Sequence, residues 1–535
     1  MDRDDRDALP VAVIGAGPVG LATAAHLVSR GETPLVLEAG DRVAAAVRRW
    51  AHVRVFSPWR YDVDPAAVAL LRARGWVMPD PDHLPTGGEL VDQYLEPLAA
   101  LPGIRPHLRL GHRVLGVTRE GRDKLRSDER DRAPFVLRVA TAAGEADIRA
   151  RAVVDASGTC ETPMPLGAAG LPARGEAAAR PHVLYGIPDV LGRERPRFAG
   201  RRVAVVGSGH SALNTLLDLA ALAAAEPATR ITWIVRRPPG PRVFGGGAAD
   251  MLPARGALGQ QARRLLERGA VTLVVGRIAA VTDTGRGIRL GGEAGEPLAT
   301  ADTIVAVTGF RPDLDLLREL RLDLDPIVEA PRALAPLIDP NLHSCGTVPP
   351  HGAIELAHPE PGFYVVGMKS YGRAPTFLLL TGYEQVRSVV AALTGDWAAA
   401  REVRLALPET GVCTGAPAAV EGCCGAASEA AVSWSPASCC GSHGDRTPAA
   451  TGACCTPAAD AVGTPAEPCC APTGAAIETP GERCCGPEPA PAGPGEACCG
   501  APARDGGAGD AGEREVGGPA LLRITVPGPA SCCRS

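Results

Sequence analysis

Two glycine-rich turns constrain this chain more than any other feature. The first fingerprint, Gly15-Ala16-Gly17-Pro18-Val19-Gly20, follows the apolar run Val11–Ile14, and the second, Gly207-Ser208-Gly209-His210-Ser211-Ala212, follows Val203–Val206. Each precedes an alanine- and leucine-rich run that is typical of a helix. Such glycines allow a tight turn and a close approach of backbone to a pyrophosphate, which the free N–H groups of the helix N-terminus bind. The chain is therefore predicted to be an α/β protein with two Rossmann-like dinucleotide-binding domains.

The residues that end the second strand of each unit distinguish the two sites. Glu38 follows Pro34–Leu37 in the first unit, at the place where an acidic residue bonds ribose hydroxyls. Arg236 and Arg237 follow Arg230–Val235 in the second unit. A glutamate repels a 2′-phosphate whereas paired arginines bind one, so the second site is predicted to take NADPH. The alternatives are an ordinary surface glutamate at a strand end and a pair of solvated arginines.

Length and charge are consistent with a multidomain enzyme that has no nucleic-acid partner. The chain has 535 residues and a formal net charge of −5. No apolar run reads as a membrane span, and the first seven residues mix acidic and basic side chains, unlike a signal peptide. We therefore expect a cytoplasmic protein that does not bind a membrane.

Further small-residue turns follow predicted strands. Asp155-Ala156-Ser157-Gly158 closes one strand and Thr308-Gly309-Phe310 closes another, and such turns let backbone approach a ligand closely. A later strand ends at Gly367, and a helix is predicted from about 375 to 392. The partial positive charge at the N-terminus of this helix would stabilise an electron-rich ring.

Two stretches allow a functional and a structural interpretation. The polar run Arg119–Arg132 is predicted to be a solvated loop. Five aromatic residues between positions 50 and 76 either line a flavin or substrate pocket or form ordinary core. They are Trp50, Phe56, Trp59, Tyr61 and Trp76. The sequence nominates no catalytic side chain.

The order of these elements resembles that of the flavoproteins with two dinucleotide-binding domains, which include flavin-containing monooxygenases and pyridine-nucleotide disulfide reductases. The resemblance implies an FAD-binding domain at 1–165 and 300–405, with an NADPH-binding domain inserted at 166–299. It implies FAD on Gly15, Gly17, Gly20, Glu38, Ser157, Gly158 and Gly367, NADPH on Gly207, Gly209, Ser211, Arg236 and Arg237, and cofactor contacts at Thr308 and Gly309.

Cysteine usage separates the branches of this family. Its disulfide reductases resemble one another in a redox-active CxxC or CxxxxC pair, but only Cys160 and Cys345 precede residue 400 here. Thr308-Gly309-Phe310 resembles the ATG-type element of the monooxygenases, although Met368 replaces the usual Asp after the late glycine. The resemblance thus implies an NADPH-dependent, monooxygenase-like enzyme that uses oxygen and a small-molecule substrate, with a thiol or metal reductase as the alternative.

Three stretches are similar to the flavoproteins encoded within bacterial arsenic-resistance gene clusters. They are Gly207–Asn214, Cys345–Gly352 and Gly367–Gln385. This resemblance implies a soft nucleophile or an arsenical as the substrate and a role in metal or metalloid resistance.

The remaining segment, 406–535, is rich in Ala, Gly, Pro, Glu and Thr and is predicted to be a disordered tail. It holds fifteen of the seventeen cysteines, fourteen of them in adjacent pairs, and the first six pairs recur about every 15 residues. The pairs are Cys423-Cys424, Cys439-Cys440, Cys454-Cys455, Cys469-Cys470, Cys484-Cys485, Cys498-Cys499 and Cys532-Cys533. Thiolates select soft ions, so arsenite, mercury(II), copper(I) and cadmium are candidate ligands.

Three alternatives remain open for this tail. It could act mainly as a sequestering arm. Alternatively, its terminal pair, Cys532-Cys533, resembles the cysteine pair with which mercuric reductase hands metal to the flavin. The third alternative is that the repeat is a neutral expansion.

Overall fold

The computed structural model describes residues 8–245, 250, 252–342, 348–375 and 377–405. Within these ranges no helix is long and apolar enough to cross a membrane. The predicted tail with all its cysteine pairs lies outside the described residues, and so does Cys345.

The first sheet contains five parallel strands, and the first fingerprint follows its central strand. The strands are β1 (Val11–Ile14), β2 (Pro34–Leu37), β3 (Leu108–Arg109), β7 (Ala152–Asp155) and β16 (Phe363–Val365), in the spatial order β16-β7-β1-β2-β3. Every residue of β1 and β7 is buried, as expected for a parallel sheet that is covered on both faces. Helix α1 (Pro18–Ser29) begins directly after the fingerprint turn.

The second sheet repeats this arrangement around the second fingerprint. Its strands are β8 (Val183–Tyr185), β9 (Arg202–Val206), β10 (Arg230–Val235), β11 (Thr272–Val275) and β15 (Thr303–Ala306), in the spatial order β11-β10-β9-β15-β8. All of its pairs are parallel, and a long helix, α7 (His210–Ala225), follows β9. These strands lie between β7 and β16 in the sequence, so the second unit is an insertion into the first. The predicted α/β class is confirmed.

The domain boundary predicted at 299 is too early by several residues. Strand β15 pairs with both β8 and β9, so it belongs to the inserted unit. The chain returns to the first unit just after it, where the N–H of Met164 donates to the carbonyl of Gly309 at 2.9 Å. The two connections between the units thus run side by side.

Two small antiparallel sheets complete the strands. The first contains β4 (Arg113–Arg119), β5 (Phe135–Thr141) and β6 (Gly144–Ala150). The second contains β12 (Ile278–Asp283), β13 (Ile288–Gly292) and β14 (Pro297–Ala301). Strands β5 and β6 form a hairpin that turns between Thr141 and Gly144.

The other helices vary from one turn to four. They are α2 (Ala45–Arg48), α3 (Trp59–Asp62), α4 (Pro65–Arg72), α5 (Gly87–Leu90), α6 (Glu96–Ala99), α8 (Pro241–Phe244), α9 (Pro253–Glu267), α10 (Ala335–Ile338), α11 (Leu379–Leu393) and α12 (Trp397–Arg401). Single turns of π or 3₁₀ helix lie at Val91–Leu95, Arg105–His107, Arg130–Arg132, Arg180–His182, Arg195–Arg197, Asp315–Leu317 and Gly367–Tyr371. Helix α11 begins about one turn later than predicted, because the backbone of Leu378 is extended.

The polar run predicted as a solvated loop contains two fully buried arginines. Arg119 Nε donates to Glu360 Oε1 at 2.7 Å, and Arg130 Nη2 donates to Glu360 Oε2 at 3.0 Å. The guanidinium of Arg119 also stacks on the ring of Phe135, 3.6 Å from its centroid. Burial by itself would raise the pKa of Glu360, but the backbone N–H of Arg321 and the two guanidinium groups hold it below its usual value. The loop prediction is therefore wrong for these two residues.

Candidate functional site

The first fingerprint and the turn after β7 face each other at the carboxyl ends of β1 and β7. Gly15 has a φ of +99°, and a Cβ there would lie 2.9 Å from the carbonyl oxygen of Ala156 and 3.1 Å from the Cα of Ser157. A Cβ on Gly20 would lie 2.0 Å from the carbonyl oxygen of Gly15. Around Gly17, by contrast, a Cβ would meet no atom within 4 Å. The turn is thus closed on the protein side and open where a ligand would approach its backbone.

Glu38 lies beside the same turn. Its Oε2 accepts a hydrogen bond from the N–H of Ala16, and its Oε1 accepts one from the N–H of Gly40, both at 2.8 Å. Each carboxylate oxygen retains a second lone pair, so the side chain is held in place and can still accept hydrogen bonds from hydroxyl groups. Its predicted role as a ribose ligand is compatible with this geometry.

A buried ion pair holds the turn after β7. Lys369 Nζ donates to Asp155 Oδ2 at 2.6 Å and to Ser157 Oγ at 3.1 Å, and neither charged side chain is exposed. Asp155 Oδ1 accepts from the N–H of Ser157 at 3.0 Å. The next residue, Gly158, has a φ of +70° and open space around it. Lys369 therefore orders the predicted flavin-facing residues from beneath.

Gly367 is fixed by a second buried network. Its N–H donates to Gln385 Oε1 at 2.7 Å, and Gln385 Nε2 contacts both Ser370 Oγ and His351 Nε2 at 2.9 Å. The Nδ1 atom of His351 lies 3.0 Å from the carbonyl oxygen of Pro349. Burial lowers the pKa of His351, which favours a neutral ring with the proton on Nδ1 and an acceptor at Nε2. Gln385 can then donate to that acceptor, so every member of the network is paired.

The second fingerprint has the same relation to the strand beside it. Gly207 has a φ of +130°, and a Cβ there would lie 2.3 Å from the carbonyl oxygen of Val307. The indole N–H of the buried Trp233 donates to the carbonyl of Gly207 at 2.6 Å. Gly209 has no atom within 4 Å of its would-be Cβ, and Ser211 lies half-buried in the first turn of α7. This turn also presents open backbone at a helix N-terminus.

Arg236 and Arg237 follow β10 directly and both are exposed. Among the described residues, neither guanidinium has a side-chain hydrogen bond or an ion pair. They occupy the position in the second unit that Glu38 occupies in the first, and their donors are available to a ligand.

Thr308 and Gly309 lie beside the second fingerprint, because the strand that they follow belongs to the second sheet. The hydroxyl of Thr308 donates to the carbonyl of Met164 at 2.6 Å, and Gly309 has a φ of +99°. The two residues thus join the connecting segments of the two units, and they lie outside the second part of the FAD domain in which the sequence places them.

The aromatic residues of the first unit have different roles. Trp59 is a core residue that is 1% exposed, whereas Tyr61 lines a pocket. Phe56 contacts the ring of His210 at the start of α7, with 5.2 Å between ring centroids. Burial, with Arg255 nearby, lowers the pKa of His210. Trp59 thus fits the interpretation as ordinary core, whereas a flavin or substrate pocket lined by other members of the cluster stays a prediction.

Lys369 and Gln385 are the residues that sequence reasoning missed. One signal for Lys369 was available, because Lys124 and Lys369 are the only lysines in a chain that otherwise uses arginine. A compact ammonium fits between two buried oxygen atoms where a planar guanidinium would not. No comparable signal marks Gln385, which lies on a helix among other buried residues.

The described residues contain no group of three or more His, Cys, Asp or Glu side chains that could hold a metal ion. Burial raises the pKa of the Cys160 thiol, with the guanidinium of Arg49 acting in the opposite direction. A raised pKa disfavours the thiolate, so Cys160 lacks the character of a reactive nucleophile.

Comparisons with known proteins agree with this architecture. A family model described as a NAD(P)-binding Rossmann-like domain matches residues 13–77. The chain is 33% identical over 136 residues to ferredoxin–NADP reductase 1 of Cupriavidus pinatubonensis, a match that spans 24% of this chain and 32% of that relative. It is 27% identical over 304 residues to the ferredoxin–NADP reductase of Ralstonia pickettii, which spans 56% of this chain and 68% of the relative.

Among solved structures, the bacillithiol disulfide reductase of Bacillus cereus has a similar fold. The TM-score is 0.51 at 18% identity, over 72% of this chain and 99% of that one. The chain thus has the fold of the flavoproteins with two dinucleotide-binding domains, and the comparisons agree with the predicted cofactors FAD and NADPH. The likeness to flavoproteins of arsenic-resistance clusters stays a prediction.

The ion pair makes a direct prediction about stability. Lys369→Met should lower the free energy of unfolding by about 3–5 kcal/mol, because it leaves the Asp155 carboxylate buried without a counter-ion. Denaturant unfolding followed by tryptophan fluorescence measures the change. Adding Asp155→Asn should recover most of the loss, because the double variant has no buried charge at this place.

Lys124→Met removes the other lysine from an exposed position and is the matched control, with an expected change within about 0.5 kcal/mol. A double variant no more stable than Lys369→Met would contradict the importance assigned to the pair.

Proposed function

We propose that this chain is an FAD- and NADPH-dependent oxidoreductase, with FAD at the first fingerprint and NADPH at the second. The observation that carries the proposal is the repetition of one backbone arrangement with opposite charges. Both glycine turns face the turn of a neighbouring strand, but the first site has Glu38 and the second has Arg236 and Arg237. A dinucleotide with a free ribose 2′-hydroxyl, such as FAD, fits the first site, and one with a 2′-phosphate, such as NADPH, fits the second.

The first site fits FAD through its backbone. The open turn at Gly17 and the uncapped N-terminus of α1 offer N–H groups to a pyrophosphate, while Glu38 suits the ribose. Gly158 has open space around it that a ring can approach, whereas Gly367 packs against Val19 and its N–H is held by Gln385. The N-terminus of α11 follows Gly367 in the chain. When bound, FAD would accept a hydride and pass electrons to an acceptor. The protein's part is to bind and orient the cofactor and to exclude water.

The second site fits NADPH because Arg236 and Arg237 have no side-chain hydrogen bond or ion pair with any residue that the structure describes. The N-terminus of α7 has no side-chain cap, which leaves its N–H groups for a pyrophosphate. Arg236 and Arg237 would bind the 2′-phosphate with charge-assisted hydrogen bonds. The contact of Phe56 with His210 places the second fingerprint helix against the first unit.

This assignment predicts the cofactor preference. Arg236→Ala with Arg237→Ala should raise the KM for NADPH about tenfold or more and leave the KM for NADH within about twofold, because only NADPH carries the lost partner. Steady-state oxidation of the two nucleotides measures this. Arg268→Ala, at an exposed position in the same unit, is the control. Equal losses for both nucleotides would contradict the role of the arginines.

The acceptor is proposed to be oxygen, with a soft nucleophile or an arsenical as the substrate. The body has only Cys160 and Cys345 before residue 400, and the pKa of Cys160 is raised. A dithiol relay to a disulfide therefore lacks its cysteine pair. Transfer of electrons to a ferredoxin is the second candidate, because both curated relatives are named ferredoxin–NADP reductases.

Oxygen consumption separates these acceptors. We expect NADPH oxidation by the purified chain to consume oxygen and to accelerate with arsenite, an organoarsenical or another soft nucleophile. A ferredoxin, a disulfide and mercury(II) are the competing acceptors in parallel assays. Faster reduction of a ferredoxin would select the second candidate, and faster reduction of a disulfide or mercury(II) would select a reductase.

We further propose that the cysteine pairs of the tail bind arsenite or another thiophilic ion. The support is the recurrence of adjacent cysteines at regular spacing, which places many soft ligands on one segment. Either the tail serves the enzyme, or sequestration is the main role of the segment.

Truncation after residue 405 tests this proposal. The truncated chain should keep its flavin absorbance and NADPH oxidation and lose most of its bound arsenite, because the paired thiols are removed. Arsenic content after equilibrium dialysis measures the binding, and a full-length variant with all fourteen paired cysteines changed to serine is the matched control. Unchanged arsenite binding in both would leave the repeat without a metal-binding role.

A further inference from the structure

The thioether of Met164 lies where the two connections between the units meet. The N–H of Met164 donates to the carbonyl of Gly309 at 2.9 Å, and its carbonyl accepts from the hydroxyl of Thr308 at 2.6 Å. One residue earlier, Pro163 pairs with Phe310 in an isolated antiparallel bridge. The backbone that carries this side chain is therefore fixed, while the residue is half-buried and partly open to solvent.

Two guanidinium groups converge on the sulfur atom of Met164. Arg311 Nε donates to Sδ at 3.1 Å, and Arg311 Nη2 donates to the carbonyl of Gly170 at 3.2 Å. Arg373, in the segment after β16, approaches the same sulfur with its Nη2 at 3.8 Å. Among the described residues, neither arginine forms an ion pair with a carboxylate. A thioether is only a weak acceptor, so the two cations meet at a group that cannot satisfy them.

The backbone of Arg373 is held in place although the residue is exposed. Its N–H donates to the carbonyl of Val328 at 2.7 Å. The preceding residue, Gly372, has a φ of +56°, and a Cβ there would lie 2.1 Å from the same carbonyl oxygen. Within the described part of the chain, the guanidinium has no acceptor other than the sulfur. Its donors are therefore anchored beside Met164 and available to a stronger acceptor.

The distance between Arg373 and the sulfur leaves room for one oxygen atom. An oxygen bound to Sδ that accepts from Nη2 at an ordinary N···O distance of about 2.9 Å would place the sulfur and the nitrogen about 4 Å apart. The observed separation of 3.8 Å is long for a hydrogen bond to the bare sulfur but suits that arrangement. Arg311, at 3.1 Å, contacts the sulfur directly and covers one of its two lone pairs.

We propose that Met164 is an oxidation site whose sulfoxide oxygen is bound by the guanidinium of Arg373. The oxidant is hydrogen peroxide from solution. The uncovered lone pair of Sδ attacks one peroxide oxygen, so the S–O bond forms as the O–O bond breaks. The departing hydroxide takes up the proton of the transferred oxygen and leaves as water. Sulfur loses two electrons and the peroxide gains them, so the step needs neither the flavin nor the acceptor proposed above.

Oxidation of Met164 joins three segments of the chain. A sulfoxide is polar where a thioether is apolar, and a hydrogen bond from a cationic donor is stronger than one from a neutral donor. The new bond links Arg373, in the segment that carries Lys369, to the connections at 162–164 and 309–311. Methionine sulfoxide disrupts apolar cores, so a stabilising effect distinguishes this site from incidental damage.

The chirality of the sulfoxide tests the geometry at the sulfur. Because Arg311 covers one lone pair, peroxide should give a single epimer at Met164. Met78 is also half-buried, has no hydrogen bond to its sulfur among the described residues, and should give both epimers in comparable amounts. The full chain is treated with peroxide and digested, and the digest is divided between the A and B classes of methionine sulfoxide reductase, which act on opposite epimers.

One reductase should reduce nearly all of the Met164 sulfoxide and the other nearly none, while each should reduce about half of the Met78 sulfoxide. Mass spectrometry of the two peptides measures the fractions. Equal reduction of the Met164 sulfoxide by both enzymes, or a Met164 that stays reduced while Met78 is oxidised, would overturn the proposal.

Thermal unfolding tests the bond to Arg373. Met78→Leu, Met251→Leu and Met368→Leu leave Met164 as the one methionine beyond the first residue, and leucine is a well-tolerated replacement. A thiol reductant added after the peroxide restores disulfides and sulfenic acids but not the sulfoxide. Oxidation of this variant should then raise the midpoint of thermal unfolding by about 2 °C or more.

Two further substitutions in that variant form a matched pair. The rise should be absent with Arg373→Leu and retained with Arg268→Leu, which removes an exposed arginine of the inserted unit. Hydrogen exchange of the unsubstituted chain measures the same bond whether or not the leucine variant folds. The N–H of Arg373 should exchange about threefold or more slowly after oxidation. An unchanged or lowered midpoint, unslowed exchange, or a rise that survives Arg373→Leu would contradict the role of Arg373.

Discussion

The buried contact between Lys369 and Asp155 is the interaction on which the ligand-facing edge of the first sheet depends. It joins the end of β7 to the segment after β16, and it also reaches Ser157. Ser157 and its neighbour Ala156 lie so close to Gly15 that only a glycine fits there. One ammonium group therefore sets the position of a turn, and that turn sets the shape of the first fingerprint. Because both charges are fully buried, removing either one leaves the other uncompensated.

In the inserted unit, an uncharged side chain holds the fingerprint turn in place. Gly207 lies against the carbonyl of Val307, and the indole of Trp233 holds the turn from the neighbouring strand. The two sites thus share a backbone arrangement and differ in chemistry. Glu38 is engaged by backbone N–H groups beside the first turn, whereas Arg236 is exposed beside the second. This contrast, more than the glycines themselves, is what supports two different dinucleotides in one chain.

Patterns confined to neighbouring residues were predictable, because a strand, a glycine turn and the helix after it are determined locally. The two fingerprints and the residues after their second strands are of this kind. Lys369 was not found because its partner is 214 residues away, and the burial of Arg119 was missed because Glu360 lies 241 residues further along. The domain boundary predicted at 299 was wrong for a related reason. Only the pairing of β15 with β9 shows that β15 belongs to the sheet of the inserted unit.

The proposed function requires electron transfer from NADPH to a flavin held by the first fingerprint. Anaerobic titration of the purified chain with NADPH, followed by visible absorbance, tests this most directly. We expect a yellow protein whose flavin absorbance is bleached by a stoichiometric amount of NADPH and far more slowly by NADH. A colourless protein that takes up no added FAD, or a bound flavin that NADPH does not reduce, would contradict it.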